Sequence, residues 1–457
     1  MSTERDIGVA LSGGGHRATA FGLGVLLALV DQQLNRRVES ISSVSGGSIA
    51  NGIVMVGPDF GAVTPPEFER HIGAALATIS DRGILLGGAP ATRGYMRRLV
   101  ASGLVTLVAS AVVVVAVVGH WWVVAAIALV VGMVAGFVAG RLFGRRSLHT
   151  ERAIDRELLG NRSVLLADLR TTPSSVHHVL CTTELQTGTS MYFSNRLVYG
   201  YGFSGTTATV EVPLATAVQA SACVPGAFAP RVLALDEVGL TGAGRIVLVD
   251  GGVYDNMADE WEYGFASREK SWPSVLDAQP RAAALLLVAN ASGGWNEIKP
   301  IKGRGVRLEL AGVLRSKDVQ YDVSTAHRRR ALAAQFRDHD AKTPDGAFAQ
   351  VSASPYDVAV QFGTRSGWAA DERSRRADEV REFLDGQGYT QAEWASIVRK
   401  TSGVPTTLAP LGRDATAALL EHGYVLAMMN MYVLHGLGEL RAIDRTRFAR
   451  LAAGGTT

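Results

Sequence analysis

Ser45 lies in the run Ser43-Val44-Ser45-Gly46-Gly47, directly after a short β-like run that reads as a strand. A serine hydroxyl is a weak nucleophile until one group takes its proton and another stabilises the oxyanion formed by its attack on a carbonyl. A strand that turns sharply into a helix presents such a serine on a tight elbow, and the elbow demands small residues two positions to either side. Ser43 and Gly47 are small enough, and Gly46 relaxes the turn. Two other stretches supply the remaining parts. Ser12-Gly13-Gly14-Gly15-His16-Arg17-Ala18 follows the apolar residues 7–11. Its Gly13, Gly14 and Gly15 can turn backbone N–H groups toward an anion at the start of a helix, forming an oxyanion hole. Asp250-Gly251-Gly252 ends the apolar run 246–249, which predicts an exposed carboxylate at the carboxyl edge of a strand, where ligands of open α/β sheets gather.

Each piece also has a plainer reading. Gly13-x-Gly15-x-x-Ala18 fits the loose dinucleotide fingerprint, which keeps a nucleotide-binding alternative open. Against it, Glu39 stands near the start of the second strand, and the end of that strand, where the acidic residue belongs, holds Ser43 and Ser45. No Gly-Lys-Ser/Thr follows, so a P-loop is excluded. Arg17 reads either as a helix-surface charge or as a clamp for the loop or an anionic head group. No histidine offers an obvious base: His16 is in the loop, His177 and His178 precede a strand, His327 heads an arginine run, and His422 reads as a helix-end residue. Asp250 is therefore expected to accept the Ser45 proton directly. The run His327-Arg328-Arg329-Arg330 reads as a solvated helix face, with contact to anionic lipid as the alternative. No metal-ligand spacing such as His-Glu-x-x-His occurs, and no metal or cofactor is expected.

The elements that must hold these residues follow from periodicity. Residues 7–11, the glycine loop and a helical pattern over 19–34 make one strand–loop–helix unit; residues 38–44 and 49–56 make a second. Residues 65–84 and 145–161 read as helices, 176–182 and 190–193 as strands joined by the turn Gln186-Thr187-Gly188, and 214–221 as a helix stopped at Pro225-Gly226. The runs 246–249 and 285–289 have the uniformly apolar character of buried parallel strands. From residue 307 the chain reads as mostly helical. Strands alternating with helices point to an α/β sheet covered on both faces.

With 457 residues and a net charge of only +3, the chain can bury a large core and carries no charge signal for nucleic acid. Its two cysteines, Cys181 and Cys223, make a disulfide framework improbable and favour a reducing compartment. The N-terminal residues lack the apolar stretch of a secretory signal, so no cleaved export is expected. Residues 99–140 contain no Asp, Glu, Lys or Arg. A single crossing needs roughly 20 residues, so this stretch predicts two crossings, divided at Gly119-His120. Arg93, Arg97 and Arg98 before it and Arg141, Arg145 and Arg146 after it put both outer ends, both termini and the catalytic domain on the cytoplasmic side of the cell (inner) membrane. Trp121 and Trp122 suit the far interface. Two rows of small residues, Gly132, Gly136, Gly140 and Ser102, Thr106, Ser110, are expected to pack the crossings on each other.

The three chemical elements, in this order, resemble the patatin-like phospholipase family. Gly13-Gly14-Gly15-His16-Arg17-Ala18 is similar to that family's Gly-Gly-Gly-x-Arg-Gly/Ala loop, residues 43–47 to its Gly-x-Ser-x-Gly elbow with Ser43 in the first glycine position, and Asp250-Gly251-Gly252 to its Asp-Gly-Gly/Ala turn. Further similarity lies in residues 182–188, 220–228 and 253–256, and the likeness covers about residues 5–290 apart from the hairpin. It implies a three-layer α/β/α fold, interrupted here by the two-helix transmembrane hairpin that the apolar span predicts, and a Ser45–Asp250 dyad with the loop glycines as oxyanion hole. The implied division is 1–92 and 147–300 as the two parts of the catalytic domain, 93–146 as the hairpin and 301–457 as a mostly helical remainder. The implied activity is acyl-ester hydrolysis of a membrane phospholipid or lysophospholipid, with the lipid bilayer as partner. Two rivals stand beside it: a catalytically inactive membrane scaffold or sensor of the same fold, and the nucleotide-binding membrane protein.

Overall fold

The computed structural model describes residues 5–85, 90–160, 162–169, 176–206, 211–242, 244–271, 282–292, 305–337, 344–363 and 372–455. Its strands are β1 Ile7–Leu11, β2 Val38–Ser43, β3 His177–Glu184, β4 Thr189–Ser194, β5 Val198–Gly200, β6 Ser204–Thr206, β7 Arg231–Ala234, β8 Arg245–Asp250, β9 Leu285–Asn290 and β10 Asp345–Gln350. The helices are α1 Gly15–Asp31, α2 Gly46–Met55, α3 Pro65–Asp81, α4 Pro90–Val118, α5 Trp122–Gly144, α6 Arg146–Glu157, α7 Leu214–Ser221, the short α8 Glu260–Tyr263 and α9 Phe265–Ser271, then α10 Val306–Arg337, α11 Pro355–Gly363, α12 Glu372–Gly386, α13 Gln391–Ser402, α14 Arg413–His435 and α15 Arg445–Ala452.

One mixed sheet runs β10-β9-β1-β2-β3-β4-β5-β6, with β8 on β3 and β7 on β8. Strands β10, β9, β1, β2 and β3 are mutually parallel, and the later pairings are antiparallel. Alternation along the central strands sends residues to opposite faces. Val9, Leu180 and Leu287 enter a large core with α1, α2, α3 and α14. Ala10, Val179, Leu286 and Val288 enter a second cluster with Trp261, Leu332 and Phe336 from α8 and α10. The result is the expected three-layer α/β/α arrangement. Helix α1 is buried along its whole length because α14 covers the side turned away from the sheet. Gly24 and Gly423 allow that contact: a methyl group on either would overlap the backbone of Leu420 or Phe21.

Two expectations need correcting. Strand β8 is antiparallel rather than parallel, because it pairs with β7 and meets β3 from the opposite end. The C-terminal region also adds a strand, β10, on the outer edge of β9. Its Asp-Gly-Ala-Phe-Ala-Gln sequence has little β-branched content to announce it.

Helices α4 and α5 are each long and apolar enough to cross a membrane, by length and composition. They pack as an antiparallel pair, with the Tyr95 hydroxyl near the start of one bonded to the Leu142 carbonyl near the end of the other (3.2 Å). A methyl on Gly132 would meet the Ala109 methyl and one on Gly136 would meet Thr106, so the two small-residue rows meet each other at Gly136 and Thr106. A methyl on Gly140 would meet nothing within 4 Å beyond its own helix.

Candidate active site

The site is a consequence of strand order. Strand β2 occupies one edge of β3 as far as the pair Ser43–Leu180. Strand β4 fills the other edge. Strand β8 therefore continues on the edge that β2 leaves, running the opposite way, and ends at the pair Asp250–Thr182. The two strands point at each other, and their carboxyl ends bring the residues after Ser43 and the residue Asp250 to one place. In the same register Leu11 pairs with Ser43 and with Ala289, so the glycine loop after β1 opens at that edge too.

Ser45 is the turn between β2 and α2, with φ 54° and ψ −117°. A non-glycine residue there carries roughly 1–3 kcal/mol of backbone strain and persists only where its surroundings over-determine it. Here they do. The Ser45 N–H is shared between the carbonyl and the hydroxyl of Ser221 (3.2 and 3.1 Å). Gly46 lies against the backbone of Gly15, and Gly47 against that of Leu11, so closely that any side chain would overlap. Gly13 faces Ser45 from the other side: a methyl on it would stand 3.3 Å from the Ser45 Cβ.

Ser43 holds the position two before Ser45 without crowding the elbow. Its hydroxyl donates to the Val179 carbonyl (2.9 Å) and accepts from Asn51 (2.9 Å) and Ser48 (3.1 Å). Ser48 in turn meets Ser221 (2.7 Å), which donates to the Cys181 carbonyl (2.6 Å). A buried polar group costs free energy unless paired, and this network pairs each of these hydroxyls.

Asp250 is buried at 2% exposure, against the expectation of an exposed carboxylate. The cause is the local chain: its N–H donates to the Cys223 carbonyl (2.9 Å), and Gly251 lies so close to the Cys181 carbonyl that a methyl on it would overlap that oxygen and stand 3.2 Å from a Val44 methyl. The Asp250 Oδ1 accepts from the Gly252 N–H (2.8 Å), which orients the carboxylate. The Tyr321 ring of α10 closes over Gly252.

In the glycine loop the three N–H groups are not equivalent. Gly13 donates to the Asn256 carbonyl (3.0 Å). Among the described residues Gly14 and Gly15 donate to no acceptor, and positive φ values of 144° and 60° aim them away from the helix. Arg17 is buried, not a helix-surface charge. It donates to the carbonyls of Ala291 (2.8 Å) and Val404 and to the Thr406 hydroxyl (3.3 Å), tying the loop to the segments after β9 and α13. His16 lies in the first turn of α1, with its ring on the Ala409 carbonyl (3.0 Å) and its pKa lowered by burial to about 4. His177 and His178 are the first residues of β3, and no described hydrogen bond joins a histidine to Ser45. Among the described residues no group of three His, Cys, Asp or Glu side chains is arranged to hold a metal ion.

The arginine run is exposed at His327 and Arg330, as a solvated face would be, but not at Arg328. Arg328 reaches from α10 to Asp259 (2.8 Å), Glu260 (2.8 Å) and Asp255 (3.4 Å), just beyond the Asp250 turn. Burial and the Asp255 charge hold the Asp259 carboxyl well above the ordinary range, and these neighbouring acids raise the Arg328 pKa. Sequence reasoning also missed Ser221, Cys223 and Asn256 as supports. Their segments showed family likeness, but nothing in a Ser, Cys or Asn at those places announces the partner it will meet.

The chain matches the family model described as patatin-like phospholipase over residues 9–258. Among solved structures it is similar to a human GIVD cytosolic phospholipase A2, at 12% identity and a TM-score of 0.47, with 99% of this chain and 63% of that one covered. It is also similar to VipD from Legionella pneumophila, at 12% identity and a TM-score of 0.32, covering 98% and 92%. The chain thus spans 63% of the length of the human enzyme. No curated protein matches its sequence.

Proposed function

The chain belongs to the patatin-like phospholipase family, a family of lipid acyl hydrolases, and on that premise we propose that it is a membrane-anchored serine acyl-ester hydrolase of phospholipids or lysophospholipids. The observation that carries this reading is Ser45 itself, a serine in a strained backbone at the β2–α2 elbow, with Gly13 against it and β8 ending at Asp250 on the edge of β3 that β2 leaves. The Ser45 Oγ attacks the acyl carbonyl carbon while its proton passes to the Asp250 carboxylate. The carbonyl oxygen, now negative, accepts from the N–H groups of Gly14 and Gly15. Collapse of the tetrahedral adduct breaks the ester bond, and the departing alkoxide takes the proton back from Asp250. Water then attacks the acyl-enzyme and gives its proton to Asp250; collapse breaks the bond from the acyl carbon to Ser45 Oγ, which takes that proton back from Asp250, and the fatty acid leaves. Arg17 acts on the shape of the glycine loop.

In this reading α4 and α5 cross the inner membrane, with residues 1–92 and 147–300 forming the catalytic domain on the cytoplasmic side and 301–457 completing it. The arginines flanking the apolar span support that orientation. Fatty-acid release from phosphatidylcholine and lysophosphatidylcholine vesicles by the wild type beside Ser45→Ala tests it. Release that is equal in the two overturns the assignment.

A further inference from the structure

We propose that the root of the hairpin is a binding site for anionic phospholipid head groups, built from one stripe of α6 and the first turns of α4; this rests on the reading that α4 and α5 cross a membrane. Arg145, His149, Arg152 and Arg156 follow one another at i, i+4, i+7 and i+11, and so share a single helical face. The opposite face of α6, with Ser147, Thr150, Ala153 and Ile154 buried, packs on the catalytic domain beside α7. The basic face is thereby turned outward at the point where the apolar span begins.

Three helices converge there. His149 of α6 stacks on Tyr95 of α4 at 4.1 Å, and Tyr95 is bonded to the end of α5. Partial burial, then the charges of Arg152, Arg145 and Arg98, push the His149 pKa down, so all three guanidinium groups lie within electrostatic reach of one ring. The acids of α6 do not answer them. Glu151 pairs with Arg231 (2.6 Å), Asp155 accepts from the Ser163 N–H (3.2 Å), and Glu157 accepts from the Ala91 N–H (3.2 Å) and faces Arg82. Among the described residues Arg97, Arg98, Arg145, Arg152 and Arg156 form no ion pair.

Like charges gathered at the boundary of a hydrocarbon slab call for a counter-charge supplied by the slab. Each arginine near an anionic leaflet contributes about 1 kcal/mol of attraction, and guanidinium groups pair well with phosphate oxygens. The site is also joined to the chemistry. Arg146 donates to the Ala227 carbonyl and Ser147 to the Ala229 carbonyl (both 2.7 Å), in the segment whose Cys223 carbonyl holds the Asp250 N–H. A head group bound at the root would sit one short segment from the catalytic carboxylate.

The test reconstitutes the full chain in neutral diether phosphatidylcholine bilayers, which contain no ester to cleave, with a trace of spin-labelled phosphatidylglycerol or phosphatidylcholine. The wild type should immobilise the anionic label several-fold more than the neutral one, and the preference should shrink as salt is raised. Arg98→Gln/Arg152→Gln/Arg156→Gln, all at exposed positions, should bring the ratio close to one. A wild type without preference, or a variant that keeps it, overturns the head-group site while leaving the membrane reading intact. A chain washed off the vesicles by alkaline carbonate overturns both.

Discussion

The N–H of Ser45 and the N–H of Asp250 hang on carbonyls two residues apart, those of Ser221 and Cys223 (3.2 and 2.9 Å). The end of α7 and the residues after it therefore form a common rail for the candidate nucleophile and the candidate base. The strained turn at Ser45 leans hardest on Ser221, which receives its N–H on both oxygens. Ser221→Ala removes one acceptor and leaves Ser48 short of a partner. A hydrogen bond of this kind contributes about 1–1.5 kcal/mol, so hydrolysis of a water-soluble ester should fall about tenfold in kcat with KM little changed. Ser221→Thr, which keeps the hydroxyl, should recover part of the loss. Equal loss in both variants would point to packing instead.

Ser45 and Asp250, acting as one unit, should be strongly non-additive. Ser45→Ala and Asp250→Asn should each remove nearly all ester hydrolysis, and the double variant should lose little more. Asp250→Asn should fold normally, since the side chain keeps its size and an oxygen to accept from Gly252. A single variant retaining more than about a tenth of the activity, a barrier change below roughly 1.4 kcal/mol, contradicts the dyad.

The parallel half of the sheet, apart from its edge strand β10, was legible in the residues themselves. Residues 7–11 and 285–290 are short, apolar runs between turn signals, 38–43 is a short β-like run with Val38 and Ile41 as its apolar residues, and 214–221 has both a helical pattern and a proline stop nearby. The Ser45 elbow was legible because only small residues fit around it. Neither the direction of β8 nor the burial of Asp250 could be read locally, because both depend on which edge of β3 is left vacant when β2 ends. Arg328 looked like a solvated charge because its three carboxylate partners lie about 70 residues away in sequence. The start of α1 at Gly15 rather than near residue 19 has a similar origin. Arg17 and His16 are polar and break the apolar pattern, yet the segment 404–410 covers them and supplies their acceptors.

Replacing the hairpin tests what it is for. The cut must spare Arg146 and Ser147, because both hold the segment whose Cys223 carbonyl accepts the Asp250 N–H. A Gly/Ser linker in place of residues 97–144 should give a soluble chain that still cleaves short, water-soluble esters through Ser45. It should lose most activity on intact bilayers, since the anchor acts through effective concentration. A chain that folds yet cleaves no soluble ester would make the hairpin part of the site.

Acid should weaken the fold through buried histidines. Burial lowers the pKa of His16 to about 4 and that of His178 to about 3, from an ordinary value of 6.5. Below about 6.5 the unfolded chain takes up protons that the folded chain refuses. Stability is therefore full above that pH and falls toward pH 4, by about 1.4 kcal/mol per unit for each such histidine. Urea unfolding in non-ionic detergent at pH 7 and 5.5 reads this loss. His178→Gln, which can still donate to Asn51, should shed its share of the pH slope; an unchanged slope would show that His178 does not contribute.

The central claim is that Ser45 is the nucleophile, and a fluorophosphonate probe tests it most directly. The wild type should gain a single phosphonyl adduct, and peptide mass spectrometry should find it on Ser45, with Ser43 and Ser48 unmodified. Ser45→Ala should stay unlabelled under the same conditions. An adduct on any other serine, or a wild type that takes none while folded and in its bilayer, would contradict the account.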